Sequence, residues 1–97
     1  MLNKVKLAML ISSNDFDSEL TDLIKAAVID MGIAGVDTTS MEDIDNITDA
    51  VLIRAIISYC GYHFEVTHGT LERSERFKRS YDEQKAQLGM ASGYTIW

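Results

Sequence analysis

Residues 49–64, DAVLIRAIISYCGYHF, decide the fold. Val51, Leu52, Ala55, Ile56, Tyr59, Cys60, His63 and Phe64 recur at steps of three and four, which lays a broad apolar stripe along one side of a helix. The spacing predicts a long helix that starts near Thr48, carries Asp49 in its first turn and is broken by VTHGT at 66–70. Gly61 lies inside the pattern. A mid-helix glycine costs about 1 kcal/mol relative to alanine, so its presence predicts another element packed closely against it.

Working outward, the same period appears on both sides. Leu2, Val5 and Met9 share a face, which predicts a short helix over 2–11 with Lys4 and Lys6 in water. Ser12, Ser13, Asn14 and Asp15 favour a turn, and Asn14 or Asp15 is placed to cap a second helix over 16–31. Phe16, Leu20, Leu23, Ile24, Ala27, Val28 and Met31 form its apolar stripe, and Gly32 and Gly35 are expected to end it. Residues 36–48, VDTTSMEDIDNIT, read as an acidic loop or a single helical turn at 41–46, with Ser40 and Asp43 as a loose capping box. A last helix starts at Thr70 or Leu71 and reaches Leu88, with Leu71, Ser74, Phe77, Tyr81 and Leu88 near one face. Glu72 with Arg76 and Glu75 with Arg79 are i,i+4 pairs on its flank. The expectation is an all-α fold: a single domain over 1–97, a small bundle of about four helices, with 89–97 as an extended tail.

With 97 residues, 46% of them apolar, the chain can fold but has a thin core, and a partner surface would help complete it. It contains no proline, as suits an uninterrupted helical chain. The single cysteine excludes an internal disulfide and suits a reducing compartment such as the cytoplasm. No apolar run approaches the roughly 18 residues of a membrane span. The opening MLNKVKLAMLISSNDF faintly resembles a secretory leader, but its run from Leu7 to Ile11 is short and no small-residue cleavage site follows, so it is read as part of the fold. Net charge is −6, divided unevenly: residues 1–49 hold ten acids and three bases, residues 50–97 five acids and six bases. Such a balance disfavours ordinary duplex binding, where neutralising phosphates supplies most of the affinity.

YCGYHFEVTHG at 59–69 gathers Cys60, His63, His68 and Glu65. Cys60 and His63 are spaced to share a helical face, and His68 could fold back on them. A structural zinc site normally needs four ligands and more than one thiolate. Both Cys60 and His63 also continue the apolar stripe, so packing explains them, and free cysteine behaves as a small hydrophobe. A Cys60–His nucleophilic dyad would need an electropositive, accessible setting that a helix interior does not offer. No phosphate loop, HExxH or GxSxG is present. No catalytic residue, metal ligand or cofactor is assigned. RSERFKR at 73–79 sets Arg73, Arg76, Lys78 and Arg79 around Phe77, either as a nucleic-acid or acidic-protein contact or as a solvated face neutralised by Glu72 and Glu75.

The order VKLAML, SSNDFDSELTDLIKAAVIDMG, DAVLIRAIISYCGYHF, ERFKRSYDEQKAQLGMASGY resembles the small phage head–tail connector proteins, also called adaptor, head-completion or DNA-packaging proteins. The resemblance covers nearly the whole chain. It rests on D-x-x-L-x-x-L-I-x-A-A in the second helix, L-I-R-A-I-x-x-Y-x-x-x-x-F in the third and E-R-F-x-x-S-Y-x-x-x-K-x-x-L in the fourth. None of these is a catalytic signature. The resemblance implies a non-enzymatic virion protein at the head–tail junction, present in the host cytoplasm during assembly or encoded by a prophage. It implies a homo-oligomeric ring, a dodecamer in the virion, that docks under the portal protein, extends the channel through which DNA passes without specific contacts, and presents a surface to a neck or tail-completion protein. The segment GVDTTSMEDIDNIT at 35–48 is short and acidic and cannot be aligned with that family's variable region.

Arginine and aromatics are enriched in interface cores, which makes Arg73, Arg76, Phe77, Arg79 and Tyr81 on the last helix candidates for partner contacts. Tyr94, Ile96 and Trp97 are too apolar for a free tail and too few for a core, so they are expected to dock on a partner and are counted among the candidate interface residues, with folding back on their own subunit as the alternative. The competing function is a small helical DNA-binding regulator that uses the Arg73–Arg79 face.

Overall fold

The computed structural model describes residues 1–96. Helices α1 (Leu2–Ala8), α2 (Asp17–Ile33), α3 (Ala50–His68) and α4 (Leu71–Met90) carry the fold, and two 3-10 turns at Thr39–Met41 and Ile44–Asn46 bridge α2 to α3. Among the described residues the only bridge of β type is an isolated antiparallel pair, Val36 with Thr95. The protein is all-α. α3 is the central element, with α4 packed along one side and α2 along another, while α1 lies against both α2 and α3.

The core follows the stripes. Leu20, Ile24, Ala27 and Met31 of α2 meet Leu52, Ala55, Ile56, Cys60 and Phe64 of α3, and Tyr81 and Leu88 of α4 and Val5 of α1 join them. Val51 and Leu71, both read as stripe residues, point to solvent instead. Gly61 does mark a close approach: a Cβ there would stand 2.6 Å from the Phe77 ring.

Helix ends differ from the sequence reading in instructive ways. α1 stops at Ala8, short of Ile11, because Leu10 adopts a left-handed backbone with φ 58°. α2 starts behind Phe16 with no side-chain cap, since Asn14 is engaged elsewhere: its side chain accepts from Lys6 Nζ at 2.8 Å. Lys6 also pairs with Asp17 at 2.8 Å, so it is largely withdrawn from water. At its other end α2 runs through Gly32 to Ile33, and Gly35, at φ 92°, makes the left-handed turn that any side chain would resist. In the acidic segment the expected capping box does not form. Asp37 accepts from Thr39 N at the first 3-10 turn and Asp43 from Asp45 N at the second, while Met41 and Ile47 anchor the segment to the core.

Asp49 is the N-cap of α3, not a first-turn residue: one carboxylate oxygen accepts from Val51 N at 2.8 Å and Leu52 N at 3.3 Å. α3 continues through the β-branched Val66 and Thr67, whose helix penalty is small, and ends at Gly69. Thr70 caps α4 by accepting from Arg73 N. The tail after Met90 turns back toward the start of the acidic segment: Asp37 N donates to Tyr94 O at 2.7 Å and Ile96 N to Gly35 O at 3.2 Å.

Candidate functional site

The residues of YCGYHFEVTHG disperse once the helix forms. Cys60 is fully buried in the core, and burial pushes its thiol pKa up to about 12, which leaves it protonated and unreactive. His63 lies against Tyr59 and Tyr62, with ring centroids at 4.3 and 4.5 Å. Burial lowers its pKa, partly opposed by the Asp30 charge. His68 sits between Phe16 and Phe64 at centroid distances of 4.9 and 4.6 Å, and its Nε2 lies 2.8 Å from Glu19 Oε2. Among the described residues no group of three His, Cys, Asp or Glu side chains is arranged to hold a metal ion.

Glu65 is buried at 7% exposure and has a structural task that the sequence reading missed. Its Oε2 accepts from Thr70 N at 3.2 Å, which satisfies a donor at the start of α4, and its Oε1 lies 3.3 Å from Arg73 Nε. One carboxylate therefore ties the end of α3 to the first turn of α4.

The basic run is mostly paired. Arg73 meets Glu65, Arg76 meets Glu72 at 2.6 Å, and Lys78 meets Asp82 at 2.9 Å. Arg79 has no ion pair among the described residues, and Phe77 is half-buried over Gly61. Tyr81, expected at an interface, is turned inward at 4% exposure. Its hydroxyl donates to Asp30 at 2.5 Å, and Lys85 reaches the same carboxylate oxygen at 3.2 Å. Burial tends to raise the Asp30 pKa, but the Tyr81 and Lys85 contacts outweigh it and hold the carboxyl below its usual value. Tyr94 likewise folds back on its own subunit and donates to Asp49 Oδ2 at 3.0 Å. Ile96 stays exposed, and Trp97 lies outside the described residues.

Two depressions open along α4, one toward the α1–α2 connection and one toward α3. One, of about 460 Å³, is lined by Leu10, Arg73, Arg76, Phe77 and Ser80. The other, of about 340 Å³, is lined by Val51, Arg54, Ser80, Glu83, Gln84 and Gln87. Ser80 borders both. Leu10 did not stand out in the sequence, where it lies in a segment read as helical, and Arg54 was met there only as the R of the L-I-R-A-I motif. No helix among the described residues is long and apolar enough to cross a membrane.

Comparison with known proteins gives one match. No curated protein and no solved structure matches the chain. The family described as phage connector protein matches residues 1–95, from the first residue of the chain to the last turn of the tail. The match spans all four helices and the acidic segment between α2 and α3, and the chain belongs to the phage connector protein family.

Proposed function

We propose that the protein is a structural, non-enzymatic component of the phage head–tail junction. Its subunits, each one helical domain, form a ring, twelve-fold in the virion, that docks under the portal, continues the DNA channel and offers the next neck or tail protein its attachment surface. The observation that carries this reading is the family match over residues 1–95. The chemistry of the surface agrees with it. The net charge of −6 suits a wall that DNA slides past, whereas a DNA-gripping regulator needs unpaired bases. Arg73, Arg76 and Lys78 already have carboxylate partners, which weighs against the regulator. Within this reading Arg76, Phe77, Arg79, Ile96 and Trp97 remain the candidates for contacts with neighbouring proteins.

The test is a phage that lacks the gene. Its lysate should contain filled or emptied heads and free tails that do not join, and added purified protein should restore joined, infectious particles. Normal particles without the protein would overturn the reading.

A further inference from the structure

One residue of the tail holds both ends of the acidic segment. At the start of the segment, Asp37 N donates to Tyr94 O at 2.7 Å. At its end, the Tyr94 hydroxyl donates to Asp49 Oδ2 at 3.0 Å. Each acid meanwhile keeps a local cap on a different atom. Asp37 Oδ1 accepts from Thr39 N and Thr39 Oγ1, and Asp49 Oδ1 accepts from Val51 N and Leu52 N. Tyr94 therefore takes the polar groups that the two caps leave over. Beside it Thr95 pairs with Val36, and Ile96 N donates to Gly35 O at 3.2 Å. Asp37, Asp49, Leu52, Gly93 and Tyr94 border one depression of about 220 Å³, where tail, segment and the first turn of α3 meet. The tail reaches this place through a single turn, closed by Tyr94 N donating to Ala91 O at 2.9 Å. Ser92 and Gly93 in that turn are exposed, and a Cβ at position 93 would meet nothing within 4 Å.

We propose that the tail is a strap that sets the shape of the acidic segment. Docked through Tyr94, it draws the two ends of the segment together; detached, it lets the segment open. Joining the ends removes conformational freedom from everything between them, so bonds inside the segment are strengthened by a residue that does not touch them. The opening is local, because α2, α3 and α4 pack on one another and Met41 and Ile47 stay anchored in their core. The coupling is reciprocal: a neighbour that takes the tail opens the segment, and one that binds the opened segment releases the tail. The strap goes beyond the connector reading and does not depend on it.

Residue-resolved amide hydrogen exchange of the full-length chain tests the strap. Met41 N bonds to Thr38 O and Asn46 N to Asp43 O, so both amides lie in bonds internal to the segment and report on it alone. The release variant is Tyr94→Phe with Ile96→Pro, which removes the hydroxyl donor and one strap N–H and changes nothing within the segment. Exchange at Met41 and Asn46 should rise about tenfold, while the amides of Ala27 and Ile56 in the core keep the parent's rates. A disulfide should then restore the strap. The bonds of Asp37 and Ile96 flank the Val36–Thr95 pair, which makes it the non-hydrogen-bonded kind, with Cα atoms about 4.5 Å apart and within disulfide reach. Val36→Cys with Thr95→Cys, added to the release variant and oxidised, should return Met41 and Asn46 to slow exchange, and reduction should free them again. Faster exchange at Asp37 alone would mean that the tail merely rests on the segment, and would overturn the proposal. An equal rise at Ala27 and Ile56 would make the tail part of the global fold and overturn it too. So would a disulfide that does not form, read by mass, or that forms and protects nothing.

Discussion

The Phe77 ring closes over Gly61 so tightly that a Cβ at position 61 would lie 2.6 Å from two of its carbons. Two effects then compete in Gly61→Ala. Alanine favours the helix by about 1 kcal/mol, and overpacking a filled interface costs about 1–3 kcal/mol. The clash should win, with a net loss of about 1 kcal/mol in urea denaturation. Adding Phe77→Ala should show a coupling energy of about 0.5–3 kcal/mol in a double-mutant cycle. A Gly61→Ala protein more stable than its parent would mean that the ring gives way easily.

Tyr81→Phe isolates one bond to a charged group. Asp30 keeps Lys85 but loses the hydroxyl donor, and at its partial exposure the expected cost is about 1 kcal/mol at pH 7. The folded carboxyl has a lowered pKa, so its contribution is present above the unfolded value of 3.8 and is lost as pH falls through the folded one. Parent and variant should therefore differ at neutral pH and converge in acid. Melting curves between pH 7 and pH 2 measure the gap, and a gap that widens in acid contradicts the assignment.

Ile56 and Ile24 are fully buried where α2 meets α3, whereas Leu23 is only partly buried. Ile56→Ala or Ile24→Ala should cost about 2–5 kcal/mol, a large part of a small domain's stability. Leu23→Ala should cost less, under about 2 kcal/mol. Equal losses at positions 23 and 56 would mean that the face of α2 toward α3 is misassigned.

The Cys60 thiol should ignore a thiol-reactive dye in the native protein and react fully in denaturant, since burial holds it protonated at neutral pH. Cys60→Ala should lose under about 2 kcal/mol. Rapid native labelling would mean that the α3 core opens far more often than its packing implies.

How much of this could be read from the sequence depends on the range of the interaction. The stripes of α2 and α3 are local patterns, and nearly every residue assigned to them is in or against the core. Gly61 was legible for the same reason, as a penalty inside a strong pattern. The failures are nonlocal. Asn14 looked like a cap until Lys6, eight residues away, claimed its side chain. Tyr81 and Tyr94 looked like surface aromatics because the acids that receive their hydroxyls, Asp30 and Asp49, are far off in sequence. The depression between α3 and α4 was invisible because it depends on which side of α3 the α4 helix lies, and periodicity gives a face without giving its neighbour.

The Glu65 corner has a mechanical consequence. A helical hairpin joined only by its turn can open like a pair of tweezers. Here the fulcrum is clamped, because Glu65 holds Thr70 N and Arg73 together while His68, three residues on, is pinned to Glu19 of α2. A load applied to α4 is therefore passed into α3 and on to α2 as torque on one stiff lever. The acidic segment and the tail are held differently, by short turns and single hydrogen bonds, with Val36, Met41 and Ile47 as their anchors in the core.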